Sequence, residues 1–309
     1  MRIWNALDGA EATRLEGHTG TVISVTFSPD GQQIVSGSHD DTVRVWNALD
    51  GTETARLEGH AGAITAVTFS PNGQRIVSSS DDSNVRVWNA LDGTETAKLE
   101  GHSESVWSVV FSPDGQHIMS GSHDKTVRVW NALDGRETAR LEGHTLSVRF
   151  VAFSHDGQQI ASGSNDKTVR VWNALHGNET SRLEGHTRGV CSVVFSSDGH
   201  HIVSGSHDKN VCVWNALDGT LTARLEGHTG VVASVAFSPD GQHIVSGSHD
   251  HNIRVWDGSN HCHLATLSVR FVCHLAPFWS DGDTVILPSV GVWRWKGNSS
   301  HGFSASVFG

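Results

Sequence analysis

The chain contains no tyrosine, and it has only 6 prolines, 4 cysteines and 2 methionines in 309 residues. Each scarcity excludes something. So few cysteines cannot staple a chain of this length, so its stability must come from a packed core. So little proline excludes polyproline and collagen-like architecture. Basic residues are short as well: 22 Lys and Arg stand against 33 Asp and Glu, a formal charge of −11. Gripping nucleic acid requires a concentrated basic face, so no direct nucleic-acid partner is expected. No run approaches the roughly 18 apolar residues of a membrane span, and no charged-then-apolar leader opens the chain. The expectation is a soluble monomer in the cytoplasm, with the nucleus left open and no membrane partner.

Three residue types are in excess: 11 Trp, 21 His and 33 Gly. An internal repeat supplies them. Trp falls at 4, 46, 88, 130, 172, 214 and 256, a step of 42, and a Gly-His pair keeps the same step with its His at 18, 60, 102, 144, 186 and 228. Residues 5–256 are therefore six units of 42. A fixed period in this range marks solenoids and propellers.

Within a unit the local pattern is β throughout, with no helix-period segment. Val22 to Phe27 reads as a strand whose spacing breaks pure alternation, implying a bulge near Ile23 and Ser24. Ser28-Pro29-Asp30-Gly31 is a turn, with Pro fixing φ and Gly supplying positive φ. Gln33 to Ser38 is a second strand and His39-Asp40-Asp41 a tight turn. Thr42 to Trp46 is a third strand, with Val43 and Val45 on one face and Arg44 and Trp46 on the other. After the turn at Leu49-Asp50-Gly51, Thr54 to Glu58 is a charged, edge-like fourth strand.

Four residues recur at fixed offsets in every unit: His18, Ser38, Asp40, Trp46; His60, Ser80, Asp82, Trp88; His102, Ser122, Asp124, Trp130; His144, Ser164, Asp166, Trp172; His186, Ser206, Asp208, Trp214; and His228, Ser248, Asp250, Trp256. Ser, His and Asp are the types of a hydrolase triad. Six copies argue instead for a structural lock, since an active site needs one constellation and a repeated scaffold needs its lock in every unit. No catalytic residue, metal or cofactor is assigned, and no G-x-x-x-x-G-K-[ST] phosphate loop is present.

The units differ at few places. The fifth residue after the Gly-His histidine is Ile23, Thr65, Trp107, Arg149, Cys191 and Ala233, six types in six copies. The third is Thr21, Ala63, Ser105, Ser147, Gly189 and Val231, and the residue before each repeated Asp is His39, Asp81, His123, Asn165, His207 and His249. Meanwhile Val25 and Phe27 are identical in all six units. Neutral drift would scatter changes more evenly, so the clustering is read as selection for binding.

Four strands per unit, with Gly-His and Trp at fixed distances, resemble the WD-repeat β-propeller family. Trp-Asn stands in six places where that family has Trp-Asp, and only Trp256-Asp257 keeps the pair. The resemblance implies an all-β, seven-bladed propeller over 1–296, with a degenerate seventh unit at 257–296; the Ser/Gly-rich end at 297–309 is expected to be a disordered tail. It implies that the Ser-His-Asp-Trp set is hydrogen-bonded within each blade. It also implies that the varied positions gather on one face, around the channel mouth, where family members commonly bind protein or peptide partners. Near-identical 42-residue units are similar to the repeat region of fungal NLR-like proteins of the heterokaryon-incompatibility type. The expected function is thus a non-enzymatic interaction module working through the varied mouth. The alternatives are a general scaffold subunit binding through its rim or opposite face and, remotely, a hydrolase on a propeller scaffold.

The end of the chain departs from the pattern. Thr266 to Val272 repeats Thr145 to Val151 letter for letter but lacks the Gly-His pair, Ser280-Asp281-Gly282 resembles the first turn, and Val292 to Trp295 resembles a third strand. Closure is expected to pair these strands with Thr13 to Glu16, with Met1 to Trp4 joining the same blade or competing with Val292 to Trp295. The chain opens inside a repeat, as a shortened relative or an incomplete gene product would. His261-Cys262-His263 with Cys273-His274 are zinc-ligand types at no compact spacing and are read as incidental. The sequons at Asn178 and Asn298 are read as chance matches. The mouth histidines suggest binding that depends on pH between about 5 and 8.

Overall fold

The computed structural model describes residues 1–4, 11–238 and 240–268 and, as strands only, 278–281, 284–287, 291–296 and 304–305. Every described element is a β-strand, and the strands form seven four-stranded antiparallel sheets and one two-stranded sheet. The architecture is a seven-bladed β-propeller with a degenerate last blade.

The first complete blade shows how sequence produces structure. Its strands are β3 (Val22–Phe27), β4 (Gln33–Ser38), β5 (Val43–Asn47) and β6 (Glu53–Leu57), paired in that order. They follow β1 (Arg2–Trp4) and β2 (Glu11–Arg14), which pair with each other. The turn after β3 is closed by Gly31 N–H to Ser28 O at 2.8 Å, and the Ser28 hydroxyl donates to Asp30 at 2.6 Å. The β4–β5 turn places Asp41 at φ 64°, a left-handed conformation tolerated by short polar residues. Asn47 accepts from Leu49 N–H and starts the β5–β6 turn, which Gly51 closes at φ 74°. The same strands recur in the five following blades at 64–99, 106–141, 148–184, 190–225 and 232–268.

The expected bulge is present in each of the six regular blades. Val22 pairs with Ser38 and Ser24 with Gly37, so Ile23 is the extra residue on β3. The equivalents are Thr65, Trp107, Arg149, Cys191 and Ala233. A bulge bends the strand and re-aims the extra side chain.

The core lies between blades. Val35, Val43, Val45 and Leu57 of the first blade pack with Ile64, Val67, Phe69, Ile76 and Trp88 of the second. Two further interfaces repeat this set. Alternate residues of the middle strands therefore face opposite neighbours, which is why β5 is buried on both sides. The pair β1–β2 takes the place of a preceding blade: Leu15, with Met1 and Ile3, covers Ile34 and Trp46.

The last sheet comprises Phe278–Asp281, Thr284–Leu287, Gly291–Lys296 and Ser304–Ala305, and β1 lies beside its third strand. Closure differs from the expected pairing. Thr13 pairs with Ile3 of β1, whereas Gly291–Lys296 pairs with the strands on either side of it in its own sheet. The N-terminal strand already had a partner close in sequence, and a short hairpin is the cheaper pairing to form. The expected tail at 297–309 falls outside the described residues, apart from the two-residue strand Ser304–Ala305.

Candidate functional site

In each of the six regular blades, the loop leading into the innermost strand meets the turn between the second and third strands. In the first blade, His39 N–H donates to Thr21 O at 2.9 Å, and Thr19 N–H donates to Asp40 Oδ2 at 2.9 Å. The same link joins Ala63 to Asp81, Ser105 to His123, Ser147 to Asn165, Gly189 to His207 and Val231 to His249. Two of the three sets of varied positions are therefore joined on the same side of each regular blade.

Behind that face lies a polar relay. His18 Nδ1 is 2.9 Å from Asp40 Oδ2, and its Nε2 is 2.8 Å from Ser36 Oγ. Trp46 Nε1 donates to the same Ser36 Oγ at 2.8 Å. The carboxylate fixes the proton on Nδ1, so Nε2 accepts from the Ser36 hydroxyl, which accepts from the indole. The six blades share this geometry, with Ser78, Ser120, Ser162, Ser204 and Ser246 as the central hydroxyls.

This corrects the serine assigned from the sequence. Ser38, Ser80, Ser122, Ser164, Ser206 and Ser248 are not in the relay. Ser38 Oγ instead accepts from Asp40 N–H at 3.1 Å, and the Ser122 hydroxyl donates to Glu104 O at 3.0 Å. The reason is register. Ile34 lies opposite Trp46 and Ser36 opposite Arg44, so Ser36 is the diagonal neighbour of the indole, while Ser38 lies a further two residues along. Sequence spacing could not separate two serines on one face. The paired register of β4 and β5 does.

The relay is electrostatically settled. Burial raises the Asp208 carboxyl, but hydrogen bonds and charge from His186, with Thr187 and Asn210 N–H, outweigh it and hold it at about 2. Asp40, Asp82, Asp124 and Asp166 are likewise held well below the usual carboxylate range. Burial lowers His18 and His228, against the opposing pull of their aspartates. The acids are ionised, and each central serine is fully buried, donating to the imidazole and accepting from the indole. The geometry is that of a lock rather than of an open nucleophile.

In front of the relay, a channel of about 960 Å³ runs between the innermost strands, from the proline turns at one end to the varied face at the other. All six bulge residues line it, as do His39, Asp81, His207, His249 and Val231. Ala233 is nevertheless buried, at 7% exposure. His123 and Asn165 stand one layer back. His123 stacks on Trp107 with ring centroids 4.4 Å apart, and Asn165 accepts from Arg149 Nε at 3.1 Å. Arg149 in turn lies over the Trp107 ring, 3.9 Å from its centroid. Burial lowers the Arg149 pKa, and burial together with the charges of Arg149, His249 and Arg188 lowers that of His207. Burial pushes the Cys191 thiol up to about 11.

Among the described residues no group of His, Cys, Asp and Glu is arranged to hold a metal ion. Cys262 is exposed, and Cys273 and His274 lie outside the described residues. No helix among the described residues is long and apolar enough to cross a membrane.

The family model described as "WD domain, G-beta repeat" matches residues 9–47, 51–89, 93–131, 135–173, 177–215 and 219–257. The chain belongs to the WD-repeat family. WD repeats are generally protein-interaction or scaffold modules and typically non-enzymatic. No curated protein matches the chain.

Proposed function

We propose that this WD-repeat propeller recognises a protein or peptide partner through the varied face around its channel mouth, without catalysis, in the cytoplasm. One observation carries the reading. The position with six residue types in six units is the bulged residue, and all six bulged residues line the channel. Near-identical scaffolds with divergent mouth side chains suit recognition, because Trp and Arg are favoured interface anchors. The near-identity of the units is also in keeping with a role like that of the fungal NLR-like repeat regions.

A capture experiment tests this reading. Partners retained by the native chain should be lost by a Trp107→Ala/Arg149→Ala double variant and kept by a Leu91→Ser/Leu133→Ser variant on the opposite face. Equal capture by native chain and mouth variant overturns it. The reverse pattern favours the second reading, a scaffold subunit binding through its opposite face. That alternative is supported by the exposed leucines of the β5–β6-type turns, such as Leu91 at 92% and Leu133 at 80%.

A further inference from the structure

We propose that the mouth takes the carboxylate side chain of an aspartate or glutamate, presented by an extended partner segment, on the guanidinium of Arg149. The proposal rests on the mouth reading above and specifies its ligand chemistry.

Arg149 differs from the third-strand arginines of the first four blades. Arg44, Arg86, Arg128 and Arg170 each have a glutamate: Glu53, Glu95, Glu137 and Glu179. Arg149 pairs with no carboxylate among the described residues. Its one hydrogen bond there is from Nε to the Asn165 amide oxygen. Its plane rests over Trp107. These two contacts fix the guanidinium while leaving both Nη groups without a protein acceptor among the described residues. A guanidinium presents its N–H groups as a rigid fork that matches a carboxylate, and a fork fixed beforehand loses less freedom on binding.

The surroundings favour an anion. Burial lowers the Arg149 pKa, yet a guanidinium stays protonated in water at neutral pH, so the mouth holds a desolvated positive charge. A half-buried cation without a counter-ion is costly, and an incoming carboxylate relieves that cost. The single carboxylate lining the channel among the described residues is Asp81, two blades away from Arg149. A fixed, unpaired cation at the mouth of a chain of net charge −11 is a local feature of one bulge position, not a general property of the surface. One fixed cation suits a monoanion. Phosphate groups are usually read by clusters of arginines.

The test uses the full chain, immobilised, and pools of seven-residue peptides with acetylated N-termini and amidated C-termini. The central residue is Asp, Glu, Asn, Gln or phosphoserine, and the other positions are mixed. One further pool has a central Asn and a free C-terminus. The Asp and Glu pools should be retained on the order of tenfold better than the Asn and Gln pools, the scale of one charge-assisted hydrogen-bond pair. Arg149→Leu should abolish the preference and Arg149→Lys retain part of it, both variants melting as the native chain does. The proposal is overturned by equal retention of all pools, by a preference that survives Arg149→Leu, or by stronger retention of the phosphoserine or free-terminus pool. If the pools are equal while the double variant above still loses its partner, the carboxylate ligand fails and the mouth reading stands.

Discussion

Cys212 and Leu221 occupy, in the fifth blade, the two places where each of the four preceding blades holds an arginine paired with a glutamate. Both partners have been replaced together. Arg224, opposite Cys212 in the sheet, fills the gap by donating to Gly185 O at 2.8 Å. Cys212→Arg alone is therefore expected to destabilise the fold, because it buries a cation beside Leu221 and Arg224. Adding Leu221→Glu should recover part of the loss. Denaturant midpoints in a double-mutant cycle should give a coupling of about 0.5–3 kcal/mol. Strict additivity of the two changes would show that the positions do not communicate.

Ser120 and Ser122 offer a second test. Ser120→Ala leaves the Trp130 indole N–H and His102 Nε2 without partners, at about 1–3 kcal/mol for each buried group. Ser122→Ala removes an acceptor for Asp124 N–H and a donor to backbone carbonyls at a less enclosed turn, and should cost less. Thermal unfolding of the two variants ranks them. The opposite order would return the relay to the serine that sequence spacing suggested.

The relay also sets the response to acid. His18 and His228 have folded-state pKa values below their ordinary ones, so their neutral forms favour folding. Their contribution is complete above about pH 6.5 and declines as pH falls through the folded values. The aspartates are depressed in the folded state, so their contribution is complete above about pH 4 and is lost as pH falls further. Unfolding free energy measured against pH should fall gently first and steeply below about pH 4. Asp208→Asn should shallow the steep limb. A profile flat down to pH 3 would contradict the assignment.

The thiols should react in order of access. Burial raises Cys191 to about 11 and Cys212 to about 12, whereas Cys262 is exposed. Native-state alkylation at pH 8, read peptide by peptide in a mass spectrometer, should label Cys262 well before the other two. Early labelling of Cys212 would mean that the fifth blade opens far more often than its neighbours.

Much of this was legible because the repeat reports on itself. Six copies of Val25 and Phe27 marked the inner strand, and its broken alternation gave the bulge at Ile23. The location of variation was legible too, since Trp107 and Arg149 stand out against fixed neighbours. Other features were set by register and three-dimensional proximity. Ser36 and Ser38 carry the same chemistry on the same face, and only pairing with β5 tells them apart. The stacking of Trp107 with His123 and Arg149 joins two adjacent blades and leaves no spacing signature. Thr13 pairs with Ile3 because the hairpin is local, a preference that the repeat pattern concealed.

The placement of the core between blades has a consequence for how such a chain can change. The regular wedges present nearly the same apolar profile to one another, as in the shared set of Val, Ile, Phe and Trp. Exchanging one 42-residue segment for another therefore restores both seams without repacking. What the exchange does alter is the small set of varied residues carried with it, the bulged one foremost. Shuffling of units rewrites the mouth one spoke at a time, while the joints that hold the wheel together stay the same.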